Sequence, residues 1–322
     1  MKKLRAAVIG VGYLGTFHVQ KFAALDDVEL VGVVDIDREK ADAAAAKYGV
    51  TAYDDYRRIL DRADMVSVVV PTEHHYRVAR DCLEAGLHIL VEKPVTQSVA
   101  EANHLIELSR ARGRVFQVGH LERFNPAITA LHGVLNNPQF IESHRLSPFK
   151  ARGIDVSVIL DLMIHDIDLI VNMVRSEITA IRSTGLPVLT DEVDIANARI
   201  EFANGCVANV TASRVSQAPV RKIRIFQPDA YMSIDLQEHK LSIYRKNHNR
   251  LDAGGRPRIE VDEQSYNQAD SLMLEIRAFV DAVQNGTPPI VSGEDGRRAL
   301  QIALEVSHDM PTGAAVRHTQ VS

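Results

Sequence analysis

Leu4-Arg5-Ala6-Ala7-Val8-Ile9-Gly10-Val11-Gly12-Tyr13-Leu14-Gly15 is the stretch whose reading decides the fold. A mostly apolar run leading straight into G-x-G-x-x-G reads as a strand, a tight turn and the start of a helix. Glycine lacks a Cβ, which permits a sharp turn at Gly10, close approach of a phosphate at Gly12 and tight helix-strand packing at Gly15. The helix behind the turn, beginning near Tyr13 and Leu14, offers its N-terminal amides to an anion. The motif alone is short, so its flanks must decide. Val28 to Val34 reads as a second buried strand, and it ends at Asp35, twenty residues beyond Gly15, where an acid accepts both ribose hydroxyls of a dinucleotide. Asp35 favours NAD, because its charge repels a 2′-phosphate. Arg38 just beyond it keeps NADP open, because an arginine there can hold that phosphate.

Outward from this turn, apolar strands near 4–9, 28–34, 65–70, 87–91 and 115–118 alternate with helix-like segments, the signature of a parallel sheet. The helices are punctuated: 37–47 stops at Gly49, 74–85 at Gly86, and 98–112 runs from Ser98 to Gly113. Beyond residue 120 the texture changes. Helices are expected near 126–136 and 157–174, then β-rich segments at 193–202, 206–215, 221–227, 230–236 and 241–245, with Asn204-Gly205 as a hairpin turn. Residues 246–268 read as a polar loop, and amphipathic helices follow at 270–285 and 294–308. The expected fold is an α/β Rossmann domain with a doubly wound parallel sheet, residues 1–120. An α+β domain with an open, mostly antiparallel sheet, residues 121–322, is expected to bind substrate and to form the oligomer contact.

The chain has 322 residues with 46% hydrophobic and 25% charged content, ordinary for a folded protein of two domains. A formal net charge of -5 gives no general basic field for nucleic acid, and no apolar segment is long enough to cross a bilayer. Met1-Lys2-Lys3 opens like a signal peptide, but the apolar run after it is too short and enters the glycine turn. The two cysteines, Cys82 and Cys206, provide neither a disulfide framework nor zinc-ligand spacing. These features point to the cytoplasm and to a small-molecule partner.

Three places carry chemistry-bearing residues at strand ends or helix starts, where open α/β sheets hold ligands. Glu92-Lys93-Pro94 follows the strand ending at Val91, which puts Lys93 at the carboxyl edge of the sheet; a solvated loop lysine is the plainer alternative. Pro71-Thr72-Glu73-His74-His75 follows the strand Met65 to Val70 and reads as a helix start beside the cofactor. Asp161-Leu162-Met163-Ile164-His165-Asp166-Ile167-Asp168 has helical apolar spacing at Leu160, Ile164, Ile167 and Val171. Asp161 and His165, four apart, share a helix face, where a carboxylate can orient an imidazole suited to proton transfer. An ion pair that merely supports the helix is an equal alternative, and no second nearby histidine or cysteine supports a metal. Walker and G-x-S-x-G motifs are absent from the sequence.

Taken together, the glycine turn, the Pro71 to His75 segment, Ala85 through Glu92-Lys93-Pro94, and Asp161 through His165 with Asp168 resemble the Gfo/Idh/MocA family of nicotinamide-dependent sugar and polyol dehydrogenases along essentially the whole chain. The resemblance implies hydride transfer from a secondary alcohol carbon to nicotinamide, with Lys93 and His165 at the reacting oxygen and Asp161 orienting His165 or the substrate; which of Lys93 and His165 is the base stays open. It also implies that Gly10, Gly12, Tyr13, Leu14, Gly15, Asp35, Pro71, Thr72, His75, Glu92 and Lys93 surround the cofactor. The segment Val118 to Ala127 resembles a branch whose members oxidise C3 of UDP-N-acetylglucosamine for bacterial lipid A precursors. A nucleotide-sugar diphosphate needs cations, and Arg123, Lys150, Arg152 and Arg214 fall in the substrate half where one could clamp it, ordinary surface charge being the plainer alternative for most of them; Arg123, Asn125 and Arg152 are the expected substrate contacts. A free-sugar or inositol dehydrogenase of the same family is the rival enzyme, and a catalytically inactive NAD-sensing regulator is the rival of another class. An uncovered sheet face points to a homodimer or homotetramer.

Overall fold

The structure, a computed structural model, describes residues 3–150, 156–251, 255, 257–266 and 269–310. It divides into two compact units, residues 1–124 with 270–300 and residues 125–269 with 301–322. Among the described residues no helix is long and apolar enough to cross a membrane.

The first unit begins β1 (Leu4–Ile9), α1 (Tyr13–Ala23), β2 (Val28–Val34), α2 (Arg38–Tyr48) and β3 (Thr51–Tyr53). It continues β4 (Met65–Val68), α3 (Thr72–Glu84), β5 (His88–Glu92), α4 (Val99–Arg112) and β6 (Phe116–Gly119). All strands pair in parallel, in the order β3-β2-β1-β4-β5-β6. The order reverses between β1 and β4, which opens a crevice at their carboxyl ends. The helix boundaries follow from their caps. Asp37 accepts the Glu39 and Lys40 N–H groups and Gly49 closes α2 at φ 66°. Ser98 and Glu101 form a capping box on α4, and Gly113 closes it at φ 60°.

The second unit begins with α5 (Pro126–Thr129) and β7 (Phe140–Leu146), followed by a π-helical turn at Ile159–Met163 and α6 (Ile164–Val174). Then come β8 (Ile178–Leu186), β9 (Ile195–Phe202), β10 (Val207–Ser213), β11 (Val220–Phe226), β12 (Ala230–Asp235), β13 (Lys240–Leu251) and β14 (Pro257–Ser265). They form an eight-stranded sheet, β14-β13-β12-β11-β7-β10-β9-β8, antiparallel except where β10 runs parallel to β7. Asn204-Gly205 turns the β9–β10 hairpin with Gly205 at φ 86°. Two expectations need correction. The helix expected over 126–136 stops after Thr129, since the chain turns at Gly133 with φ 81° and runs into Asn136-Asn137-Pro138. The loop expected over 246–268 is largely β13 and β14; β14 is an edge strand exposed on both faces, so it lacks the apolar alternation that marks a strand.

Helix α7 (Ser271–Asn285), which the sequence reading groups with the second domain, belongs to the first unit, and α8 (Gly293–Asp309) is divided at Leu300. The apolar stripe Ile276, Phe279 and Val280 of α7 joins Val8, Val11, Val19, Phe22 and Val33 in one core. Each such side chain contributes about 1.5–3 kcal/mol by leaving water. The same helix buries Glu275 completely, and neither of its carboxyl oxygens has a hydrogen-bond partner among the described residues. Burial, reinforced by the negative Glu92 nearby, pushes the Glu275 pKa well above the carboxylate range. A folded pKa above the unfolded value of about 4.3 contributes stability that is fully present below the unfolded value and is lost as pH rises toward the folded one. Glu275→Gln keeps the neutral shape and removes the titration. Thermal unfolding should give equal Tm values for wild type and variant near pH 4.5, and a variant Tm higher by more than about 2 °C at pH 8. Equal values at both pH values would contradict a neutral Glu275.

Candidate active site

The glycine turn divides its work among three positions. Gly10 adopts φ 91°, and a Cβ there would fall 2.6 Å from the Val69 carbonyl oxygen, so only glycine lets β1 end this close to β4. A Cβ on Gly15 would lie 1.9 Å from the Gly10 oxygen. Gly12, in contrast, has nothing within 4 Å of that position. It is also the N-cap of α1 and, as a glycine, places no capping side chain there. Open space at the N-terminus of a helix fits a pyrophosphate.

Asp35 closes the other side of this turn. Its Oδ2 accepts the Val11 N–H at 2.8 Å and its Oδ1 the Asp37 N–H at 2.9 Å, which aims the carboxylate and leaves lone pairs for ribose hydroxyls. The crevice is about 840 Å³ and is lined by Gly10, Gly12, Asp35, Val70, Pro71 and His74 among others. Ile36, 91% exposed, gives that crevice an apolar wall against which a base could lie. Arg38, which a 2′-phosphate would need, is bound to both oxygens of Asp42 at 3.0 Å.

The next two expected segments meet each other. Thr72 opens α3 and Pro71 precedes it. His75 is buried, with Nδ1 2.8 Å from the Pro94 oxygen and Nε2 2.8 Å from the Val70 oxygen, so it ties the loop after β4 to the loop after β5. Burial holds its pKa below the ordinary histidine value, against the pull of the two carbonyls. The Lys93–Pro94 peptide bond is cis. Glu92 turns inward; its Oε2 accepts the Lys93 N–H at 3.3 Å, and its Oε1 lies 3.2 Å from His18 Nε2. His18 Nδ1 in turn lies 2.8 Å from Ser67 Oγ. Burial opposes charge on Glu92, but His18, Lys93 and His75 outweigh it and hold its pKa below the usual value. Sequence reasoning missed His18 and Ser67. The available signal was a histidine on the buried Gly15, His18, Val19, Phe22 face of α1.

In the second unit, Asp161 lies in the π-helical turn and His165 in the first turn of α6, both half-buried. The expected regular α-helix over 157–174 is therefore underwound at its start, which changes the angle between positions four apart. Asp166 and Asp168 are buried rather than surface acids. Arg145 donates from Nε to Asp166 Oδ2 at 2.6 Å and from Nη2 to Oδ1 at 3.3 Å, and Ser143 Oγ donates to Oδ1 at 2.8 Å. This network holds α6 against β7 beside His165.

The expected substrate residues have varied settings. Arg123, in the first unit, pairs with Asp295 at 3.5 Å. Asn125 caps α5, accepting the Ala127 N–H and donating to the Leu236 oxygen. Arg214 is buried against Asp194 and donates to the Val156 carbonyl, while Lys150 is exposed. Arg152 lies outside the described residues.

Residues 4–120 match the profile described as "Oxidoreductase family, NAD-binding Rossmann fold" and residues 128–230 the "GFO/IDH/MocA C-terminal domain". The UDP-N-acetylglucosamine 3-dehydrogenase of Acidithiobacillus ferrooxidans is 39% identical over 307 residues, 95% of this chain and 97% of that protein. A solved structure of that enzyme matches with a TM-score of 0.89 at 38% identity, covering 96% of this chain and 98% of that one. The myo-inositol 2-dehydrogenase of Thermotoga maritima is 25% identical over 338 residues, 99% of each protein. The glycine cradle, the Asp35 carboxylate and these matches agree, and the chain belongs to the Gfo/Idh/MocA family of oxidoreductases, with NAD as its cofactor.

Proposed function

We propose that the protein oxidises the C3 hydroxyl of UDP-N-acetylglucosamine to a ketone. The observation that carries this reading is the similarity to a UDP-N-acetylglucosamine 3-dehydrogenase over 95% of the chain. NAD, when bound, accepts the hydride from the carbinol carbon. Lys93 acts on the same hydroxyl, its ammonium stabilising the negative charge that develops on oxygen as hydride leaves. His165 takes the hydroxyl proton as a neutral imidazole, oriented by Asp161. The roles of Lys93 and His165 can exchange without altering the balance: one hydride and one proton leave the alcohol. Gly10, Gly12, Tyr13, Leu14, Gly15, Asp35, Pro71 and Thr72 surround the cofactor, while His75 and Glu92 shape the Lys93 loop beside it. Among the cations considered for the diphosphate, Arg123 and Arg214 already have carboxylate partners, which leaves Lys150 and Arg152 as the candidates to test. Asn125 contributes by holding the entry to α5.

The same reading assigns the enzyme to the cytoplasm, to the supply of a 3-keto sugar nucleotide for lipid A precursors, and to a homodimer or homotetramer. The outer face of the second sheet, with Phe226 stacked on Tyr231 and Tyr231 on Tyr244, supports such an assembly. A free-polyol dehydrogenase is the second reading, favoured by the full-length likeness to the myo-inositol enzyme. Assaying NADH formation at 340 nm with UDP-sugars and free polyols, each with NAD and NADP, separates them. The proposal expects kcat/KM for UDP-N-acetylglucosamine to exceed that for any free polyol by about 10²-fold or more, with a 3-keto product. Turnover on free polyols alone would remove it.

A further inference from the structure

We propose that Glu92, His18 and Ser67 form a buried chain that positions Lys93 by fixing its backbone amide, with Glu92 as the link to the catalytic loop. The inference rests on the catalytic reading of Lys93. A carboxylate buried at the end of a parallel strand is unfavourable unless its oxygens are engaged. Those of Glu92 are: Oε2 accepts the Lys93 N–H at 3.3 Å and Oε1 faces His18 Nε2 at 3.2 Å. The other ring nitrogen of His18 is held 2.8 Å from Ser67 Oγ on β4, which sets the imidazole facing the Glu92 carboxylate. On the neighbouring strand β6, a Cβ on Gly119 would fall 2.8 Å from Glu92 Oε1. The sheet thus keeps space for the carboxylate itself.

On the far side of Lys93, the Pro94 carbonyl is bound by His75. The loop is therefore anchored at the Lys93 N–H and again at the Pro94 carbonyl, one residue further on. His75 from α3 and Glu275 from α7 are the other titratable groups that act on Glu92 beside His18 and Lys93. His18 sits on α1, whose first turn receives the pyrophosphate, so one chain of contacts joins the phosphate helix to the catalytic loop. A lysine side chain has many rotamers, and placement errors of about 1 Å in a reacting group cost about 10²-fold in rate.

The test compares Glu92→Ala, Glu92→Gln and Lys93→Ala in the full chain. Glutamine keeps an oxygen for the Lys93 N–H and offers an N–H to the neutral tautomer of His18. Glu92→Ala should lower kcat by about 10²-fold with KM for NAD within about threefold, while Glu92→Gln recovers to within about tenfold of wild type. With selective 15N-lysine labelling, hydrogen exchange of the Lys93 amide should accelerate about tenfold or more in Glu92→Ala and stay slow in Glu92→Gln. Wild-type kcat in Glu92→Ala, or a glutamine variant as slow as the alanine one while both bind NADH normally, overturns the proposal. Should Glu92→Ala fail to fold, Gly119→Ala displaces the same carboxylate, and unchanged kcat and exchange there overturn it equally. Full activity in Lys93→Ala would instead defeat the catalytic reading; the exchange measurement needs no substrate and still decides whether Glu92 holds the Lys93 backbone.

Discussion

Lys93→Ala is expected to lose about 10³-fold in kcat while binding NADH within about threefold of the wild-type affinity. The reason is a difference in where charge appears. In the ground state the hydroxyl is neutral and an ammonium beside it gains little; as hydride leaves, the oxygen becomes alkoxide-like and the same ammonium stabilises it strongly. On the proposed reading the cofactor is held chiefly by the glycine turn and Asp35, neither of which depends on the Lys93 side chain. Steady-state kinetics at 340 nm and a fluorescence titration of NADH measure the two quantities separately. His165→Ala should fall by a similar factor, and the double variant should be little slower than the worse single one, because two groups acting together on one reacting oxygen are not additive. Multiplicative losses would mean that the two side chains act in different steps.

The largest stability effect is expected from Asp166→Ala. Asp166 and Arg145 are nearly inaccessible, with 1% and 4% side-chain exposure, and the guanidinium has its Nε committed to the carboxylate at 2.6 Å. Removing the acid takes this carboxylate from a buried cation, and breaking a buried pair costs about 3–5 kcal/mol. For a unit of this size, that corresponds to about 6–20 °C in Tm. Replacing both partners, as in Arg145→Met with Asp166→Leu, should restore much of the loss, since the charge itself is then gone. Thermal and urea unfolding of the single and double variants decide it. A single variant within 1 kcal/mol of wild type, taken as the threshold for a surface-like pair, would contradict the burial argument.

Why some of this could be read from the chain and some could not is clearest at particular residues. Gly10 to Gly15, Asp35 and the helix stops at Gly49 and Gly113 are local: each signal lies within a few residues of what it causes, so the parallel sheet and its cofactor turn were legible. His18 and Ser67 lie 49 residues apart, and their contact exists only because β4 and α1 come together. Strand β7 escaped notice because two of its inward positions are Ser143 and Arg145, polar residues that pay their burial through Asp166 on another element. Helix α7 was recognisable from its period, but an apolar stripe does not name the core it will join, and it joined the earlier one. Strand β14 has no buried face to announce it.

The π-helical turn at Ile159–Met163 has a consequence for how this part of the enzyme can change. Each residue of an α-helix advances the chain by about 100°. A turn wound with one extra residue therefore sets a phase between the chain before it and α6 after it. The direction in which His165 faces is fixed by the number of residues in that turn as much as by any neighbouring side chain. A one-residue deletion there would regularise the helix and swing the imidazole about a quarter of a revolution or more. Conservative substitutions within the turn at positions other than Asp161 keep that register, so the residue count there sets the aim of His165 alongside the Asp161 carboxylate.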